Sequence, residues 1–436
     1  MTRPRAPAAL ACAAGALGLA AEALAEGGLR KGPWVMNPQG GALSVLVERE
    51  EPGPVTVTAT PEGGRGPVVS VQSFGASHLH GVRLSGLLPG VRYRYEVTGP
   101  GLSGAGGSFL VPAPEGPGRF VVYGDTRCVV DAHALAARAR ARGGAAFVLH
   151  TGDLVADGRE GEQWDEFFSL ERELLRSTVF IPVLGNHEII SSEREGIANY
   201  RRYVEADPSG PSPEVDTSVR WGPLRVVLAH AFERWDDPER LRWLDRTLGD
   251  ARREDPSGWL FVVFHWGLSS AGPHGPNRAL RGSEAEVILR RHRTDLVIAG
   301  HDHLYERGDD QGLRYLVSGG AGAPLYPVRR RSAATRFAAS EHHYVRGELD
   351  GDHVTFTALR IDGAVLDRCV LDHARWRCDE APEPPPTTPP KPPRRRRGRC
   401  SCVVPGAGAS GGVWGVVGVW ALGLWVSARR SSRRGW

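Results

Sequence analysis

FVVYGD, residues 120–125, sets four apolar residues without alternation in front of Gly124 and Asp125. A short continuous apolar run bounded by a turn signal is the pattern of a strand buried on both faces. The same rhythm returns in AFVLHTGD (146–153), VFIPVLGN (179–186), LRVVLAHAF (224–232), WLFVVFH (259–265) and DLVIAGH (295–301). Between these runs lie amphipathic segments with helical spacing: AHALAARARA (132–141), QWDEFFSLERELL (163–175), GIANYRRYVEA (196–206) and ERLRWLDRTL (239–248). Strands that alternate with helices predict a layered α/β domain over residues 118–372. In such sheets ligands collect beyond the carboxyl ends of the strands.

Those ends carry one kind of chemistry. In order they present Asp125, Asp153, Asn186 with His187, His265, and His301 with His303 in IAGHDHLYER (298–307). Carboxylate, amide and imidazole groups form a mixed oxygen and nitrogen shell suited to Zn, Mn or Fe. Two histidines one residue apart in a loop can address two neighbouring ions.

The ordered set GD, GDxxxxG, GNHE, a strand ending in His, and GHxHxYER resembles the calcineurin-like metallophosphoesterases, and among them the purple acid phosphatase branch. The resemblance covers about residues 31–370 and implies a β-sandwich flanked by helices that holds two divalent or trivalent metal ions. Asp153 would bridge both ions. Asn186, His265 and His301 would complete the second, and Asp125 and His303 would bind the first. His187 would contact the phosphoryl oxygens or protonate the leaving oxygen, and His274, in SSAGPHG, would be a further phosphate contact. Two metals about 3.5–4 Å apart can clamp a phosphoryl group and acidify a water for in-line attack.

Two positions depart from the family pattern, and both concern the first ion. Purple acid phosphatases have a tyrosine three residues after the bridging aspartate, where this chain has Ala156. The wider superfamily has a histidine two residues after the first aspartate, where this chain has Arg127. The expectation is a first site left with Asp125, Asp153, His303 and water, or one that recruits His133 or Cys128. No tyrosinate charge-transfer colour is expected. Arg127 either contacts substrate phosphate, for which its planar fork is suited, or forms an ordinary salt bridge.

Residues 31–112 follow a different rhythm. ALSVLVE, VTVTAT, HGVRLSGL and VRYRYEVTG alternate and are broken by Gly and Pro clusters, the pattern of a small all-β sandwich. LSGLLPGVRYRYEV (84–97) resembles the fibronectin type III signature, in which Leu and Pro precede a tyrosine corner. GPWVMNPQGGALSVLVE (32–48) resembles the opening of the domain that precedes the catalytic domain in purple acid phosphatases. PAPEGPG (112–118) is the expected linker.

The chain ends predict export. Residues 1–25 combine Arg3 and Arg5 with an apolar stretch and small residues at Ala23 and Ala25, the layout of a secretory signal peptide. Residues 381–399 form a Pro/Arg-rich spacer of polyproline II character. Residues 400–436 hold Cys400, Cys402, an uncharged run over 403–428 and four arginines. This tail resembles the myxobacterial C-terminal sorting signals, implying membrane contact, a sorting protease as partner and a cell-surface or outer-membrane location. A permanent membrane anchor is the alternative.

Charge and cysteine usage narrow the function. The formal net charge of +4 over 436 residues comes from the last segment, where ten basic residues face Glu383 alone. The remaining body is mildly acidic, which argues against a nucleic-acid surface. Cys369 and Cys378 are spaced to close a small disulfide loop. The combined expectation is an exported dinuclear phosphatase acting on a small phosphomonoester. A phosphodiesterase or nucleotidase of the same fold, and a catalytically weak surface binding module with a degenerate metal site, remain open.

Overall fold

The computed structural model describes residues 27–114, 118–128, 132–134, 137, 143–232 and 235–379. The predicted signal peptide, the Pro/Arg-rich spacer and the Cys-containing tail lie outside these residues, as do Arg138 and Arg140 of the expected first helix. Among the described residues no helix is long and apolar enough to cross a membrane.

Two large sheets pack face to face, with helices on their outer sides. The parallel strands Gly118–Tyr123, Phe147–His150 and Val179–Pro182 lie side by side in a ten-stranded sheet. Leu224–Leu228, Trp259–Val263, Leu296–Ala299 and Leu313–Ser318 run parallel in a seven-stranded sheet. Neighbouring side chains on a strand point to opposite faces, and each face here has its own apolar partner. Phe120, Val122, Phe147 and Leu149 meet Val226, Leu228, Phe261, Val263 and Ile298 in the core between the sheets. Val121, Tyr123 and Val148 point outward to Trp164, Phe167, Phe168 and Tyr200. Val227, Val262 and Val297 do the same on the other side, toward Trp243, Leu244, Ile288 and Leu289. Double-sided burial is why these strands read as continuous apolar runs; each buried Phe or Leu contributes about 1.5–3 kcal/mol of transfer free energy.

The helices follow from their apolar spacing and caps. Gly161–Leu175 buries Trp164, Phe167, Phe168, Glu171, Leu174 and Leu175, a stripe at three- and four-residue intervals. Pro238–Glu254 starts behind Asp237, whose carboxylate accepts the Glu239 N–H at 3.1 Å, with Pro238 in the first turn.

The amino-terminal region builds a four-stranded sheet from Val55–Pro61, Val69–Ser73, Arg92–Thr98 and Ala105–Leu110. Its tyrosine corner is formed: the Tyr93 hydroxyl accepts the Leu88 N–H at 3.1 Å. The other amino-terminal strands do something the sequence pattern does not announce. Leu29–Gln39 pairs in parallel with Val179–Pro182, so Leu29–Gln39, Ala42–Arg49 and Leu79–Leu84 extend the ten-stranded sheet. Trp34 seals the junction, its ring 4.4 Å from that of Phe168. Buried Lys31 supports it through ion pairs with Glu48 and Asp165. At the far edge of the same sheet the disulfide Cys369–Cys378 joins the paired strands Val365–Leu371 and Trp376–Cys378.

Candidate metal centre

Tight turns at the strand ends bring the polar residues together. Asp125, Asp153 and His301 all have positive φ, at 57°, 56° and 68°. Non-glycine residues adopt this conformation at a cost, and such strain gathers where the surroundings hold a functional side chain. Glycines let the turns close on one another. A Cβ on Gly185 would lie 2.3 Å from Asp153 Oδ1, and one on Gly300 would lie 2.5 Å from Asp125 Oδ2.

One carboxylate organises the centre. Asp153 is fully buried; its Oδ1 accepts the His187 backbone N–H at 2.9 Å and lies 3.3 Å from His265 Nε2. Asn186 Oδ1 lies 3.2 Å from His265 Nε2 and 2.9 Å from His301 Nδ1, and the two imidazole nitrogens are 3.3 Å apart. His265 donates its other ring N–H to the Thr151 carbonyl at 2.6 Å, which directs Nε2 at the cluster. Asn186 Oδ1, His265 Nε2 and His301 Nδ1 therefore lie within 3.3 Å of one another, and Asp153 Oδ1 joins them through His265 Nε2 at 3.3 Å. This donor set fits a divalent metal ion. Without an ion, burial works against the charged His265 ring, but the carboxylates of Asp153 and Asp125 outweigh it and raise this histidine to about 9. Burial and the neighbouring His265 push His301 well below its ordinary range.

The other oxygen of Asp153 meets a different partner. Asp153 Oδ2 accepts Arg127 Nε–H at 3.0 Å, and Arg127 Nη2 donates to His303 Nε2 at 3.0 Å. The ligand atoms of Asp125, Asp153 and His303 lie within 4.8 Å of one another, close enough for one ion. Two of these three residues are already bonded to the guanidinium. His303 Nδ1 donates to the Pro324 carbonyl at 2.7 Å, so Nε2 holds the one ring lone pair, and Arg127 uses it. Asp125 Oδ2 accepts the His301 backbone N–H at 3.0 Å, whereas buried Oδ1, 3.4 Å from His303 Nε2, has no hydrogen-bond partner among the described residues. Of the expected substitute ligands, His133 is committed to Glu171 at 2.8 Å, and the Cys128 sulfur accepts from Arg127 Nη1 at 3.6 Å.

The two expected substrate-side histidines both border the cluster. His187 Nδ1 donates to the Ala156 carbonyl at 2.7 Å, which leaves Nε2 facing inward, 4.0 Å from Asp153 Oδ2. Burial lowers the pKa of His187, and Arg127 adds to this against the pull of Asp153. The ring of His274 packs 4.4 Å from that of His301 and is half-buried. His80, His292, His342, His343 and His373, read as ordinary core or surface histidines, are engaged elsewhere with Ser73, Asp245, Gly320, Ser318 and Asp295 respectively.

Several supporting residues were not singled out from the sequence. Glu188 spreads its carboxylate over the backbone N–H groups of Asp153, Leu154, Val155 and Gly185. Asp302 accepts the Ser270 hydroxyl and the His274 backbone N–H, holding the His274 loop. Tyr326 stacks on His303, with ring centroids 4.0 Å apart and planes 15° from parallel. Glu188 alone had a signal, since it closes the GNHE motif.

Residues 118–305 match the family model for calcineurin-like phosphoesterases. Purple acid phosphatase 21 of Arabidopsis thaliana is 26% identical over 280 residues, which is 61% of either chain. An uncharacterised protein of Mycobacterium tuberculosis is 28% identical over 202 residues, 42% of this chain and 37% of its own. The chain thus spans about one third to three fifths of the length of these curated relatives. Among solved structures, the purple acid phosphatase PPD1 of yellow lupin superposes with a TM-score of 0.67 at 17% identity, over 78% of this chain and 74% of its own. PhoD superposes with a TM-score of 0.68 at 11% identity, over 83% of this chain and 94% of its own. At those identities the structures speak for the layered fold alone. Residues 118–305 therefore form a calcineurin-like phosphoesterase domain, with purple acid phosphatases among the chain's relatives.

Proposed function

We propose that this protein is an exported, metal-dependent phosphatase that hydrolyses small phosphomonoesters. The observation that carries this reading is the convergence of Asp153 Oδ1, Asn186 Oδ1, His265 Nε2 and His301 Nδ1, with the inward Nε2 of His187 beside them. A metal ion bound by those four atoms would polarise a phosphoryl oxygen and supply a water that is acidic enough to attack.

The chain's own residues perform the remaining tasks. His187 is held in one tautomer by the Ala156 carbonyl, so a proton can enter or leave only at Nε2. There it can hydrogen-bond a phosphoryl oxygen or pass a proton to the departing alkoxide. His274, packed on His301, would supply a second phosphoryl contact. Arg127 uses three of its N–H groups on Asp153, His303 and Cys128, which leaves two without a protein partner among the described residues.

Export is supported by the signal-peptide layout of residues 1–25 and by a disulfide suited to an oxidising compartment. Surface retention rests on the sequence of the tail.

The deciding experiment compares hydrolysis of p-nitrophenyl phosphate and bis-p-nitrophenyl phosphate by the purified chain, with Asn186→Ala and His301→Ala as controls. Faster monoester turnover that disappears in both variants is the expected result. Preferred diester turnover would make the protein a phosphodiesterase, and undiminished turnover in either variant would defeat the ligand assignment. The binding-module reading has one observation in its favour, the guanidinium between Asp153 and His303. It would prevail if neither ester were turned over by the metal-loaded chain.

A further inference from the structure

We propose that the Arg127 guanidinium takes the place of the first metal ion, so that the centre operates with one exchangeable ion and one fixed cation. The inference rests on the phosphatase reading of the same site and goes beyond it by setting the number of ions.

Valence sets the limit on what the first position can bind. A metal ion in the first position would need the Nε2 lone pair of His303 and an Oδ2 lone pair of Asp153, at about 2.0–2.2 Å. The His303 nitrogen has a single lone pair, because its other ring nitrogen carries the proton given to Pro324. That lone pair accepts from Arg127 Nη2 at 3.0 Å. The same guanidinium bonds Asp153 Oδ2 through Nε at 3.0 Å. Arg127 is 6% exposed and therefore built into the centre, not lying across its mouth. Ala156, whose carbonyl holds His187, carries no donor atom on its side chain.

Asp153 keeps its bridging role with altered partners. Its Oδ1 faces the metal-ligand cluster and its Oδ2 the guanidinium, so one carboxylate still joins two positive centres. The fixed cation does not dissociate, resists chelators and carries a single charge. Asp125, whose ligand atom lies within 4.8 Å of those of Asp153 and His303, adds a second negative charge beside the guanidinium.

The test is the metal content of the full chain after loading with Mn(II), read by elemental analysis and by the electron paramagnetic resonance signal of the ion. The wild-type chain is expected to bind one Mn per chain, with the spectrum of an isolated ion. Arg127→Ala and Arg127→His, which free His303 and Asp153, are expected to bind twice as much and to show spin coupling between neighbouring ions. Two ions in the wild-type chain would overturn the proposal without reference to any variant, so it survives the loss of a variant that fails to fold. One ion in wild type and in both folded variants would overturn it as well, since Arg127 would not then be what excludes the second. No ion in the wild-type chain or the variants, with no ester hydrolysis, would instead bring down the phosphatase reading itself, and the inference with it.

Discussion

Glu188 accepts the backbone N–H of Asp153 at 3.1 Å, and the same carboxylate accepts Gly185 at 2.7 Å, Leu154 at 2.8 Å and Val155 at 3.2 Å. It is completely buried and ties the turn that carries Asp153 to the turn that carries Asn186 and His187. Replacing it by glutamine turns one acceptor end into an N–H₂ group facing backbone donors. Glu188→Gln is expected to cost about 1–3 kcal/mol, since a buried backbone donor left facing an N–H₂ group forfeits both its bond and its solvation. Urea unfolding measures this. A loss below about 1 kcal/mol would mean that the two turns hold their geometry without Glu188.

Removing the metal should loosen the centre, because an ion that binds only the folded chain stabilises it by mass action. At an ion concentration 100 times the dissociation constant the contribution is about 2.7 kcal/mol. Treatment with a chelator is therefore expected to lower the melting temperature of the wild-type chain and to leave Asn186→Ala, which lacks the amide ligand, unmoved. An equal chelator response in both would place the bound ion somewhere other than the Asn186–His265–His301 cluster.

His187 sets a sign for the pH profile. Burial and Arg127 hold its pKa below the ordinary 6.5, so the protonated, donating form is present only in acid. If Nε2 protonates the departing oxygen, kcat falls as the pH rises through that lowered pKa. The demand for a proton is greatest for a poor leaving group. His187→Ala should therefore lose on the order of 10²-fold or more on an alkyl phosphate, and much less on p-nitrophenyl phosphate. Equal losses on both substrates would assign His187 to phosphate binding alone.

A second pH effect concerns the amino-terminal junction. Burial pushes the Asp165 carboxyl up, but its hydrogen bonds with Arg30 and Lys31, together with their charges, pull it further down, so the net shift is below 3.8. A carboxylate lowered in the folded state contributes stability above its unfolded pKa and loses it as the pH falls through the folded value. The wild-type chain should therefore lose stability below about pH 4 more steeply than Asp165→Asn. Parallel acid limbs in denaturant titrations at successive pH values would show that this ion pair is unlinked to folding.

What the sequence disclosed and what it hid divide on physical lines. Asp125, Asp153, Asn186, His265, His301 and His303 were legible because each ends an apolar run, where a buried strand must surface and a polar side chain has only the cleft to enter. The pairing of Leu29–Gln39 with Val179–Pro182 was not legible, because a strand's partner is chosen across more than 140 residues by packing such as Trp34 on Phe168. Tyr326 and Asp302 were missed for a related reason. Their roles consist of contacts with His303 and the His274 loop, and neither contact imposes a local pattern. Arg127 was legible as a departure from the family pattern, but its partners required the fold.

Ala156 offers a visible test of how Arg127 and the first site are related. Its carbonyl fixes His187 and its N–H donates to Gln163 Oε1 at 2.7 Å, so the backbone is held, and the residue is only half-buried. On sequence grounds Ala156→Tyr would restore the tyrosinate of the purple acid phosphatase pattern and, with iron, a charge-transfer band. A tyrosinate acquires that band only by binding an ion. While Arg127 holds Asp153 Oδ2 and His303 Nε2, the first position has none to offer. Iron-loaded Ala156→Tyr is therefore expected to stay colourless, and the double variant Arg127→Ala with Ala156→Tyr to develop visible absorption. A band in the single variant would show that iron displaces the guanidinium once a fourth ligand is supplied. The exclusion would then be a matter of relative affinity, not of a position permanently filled.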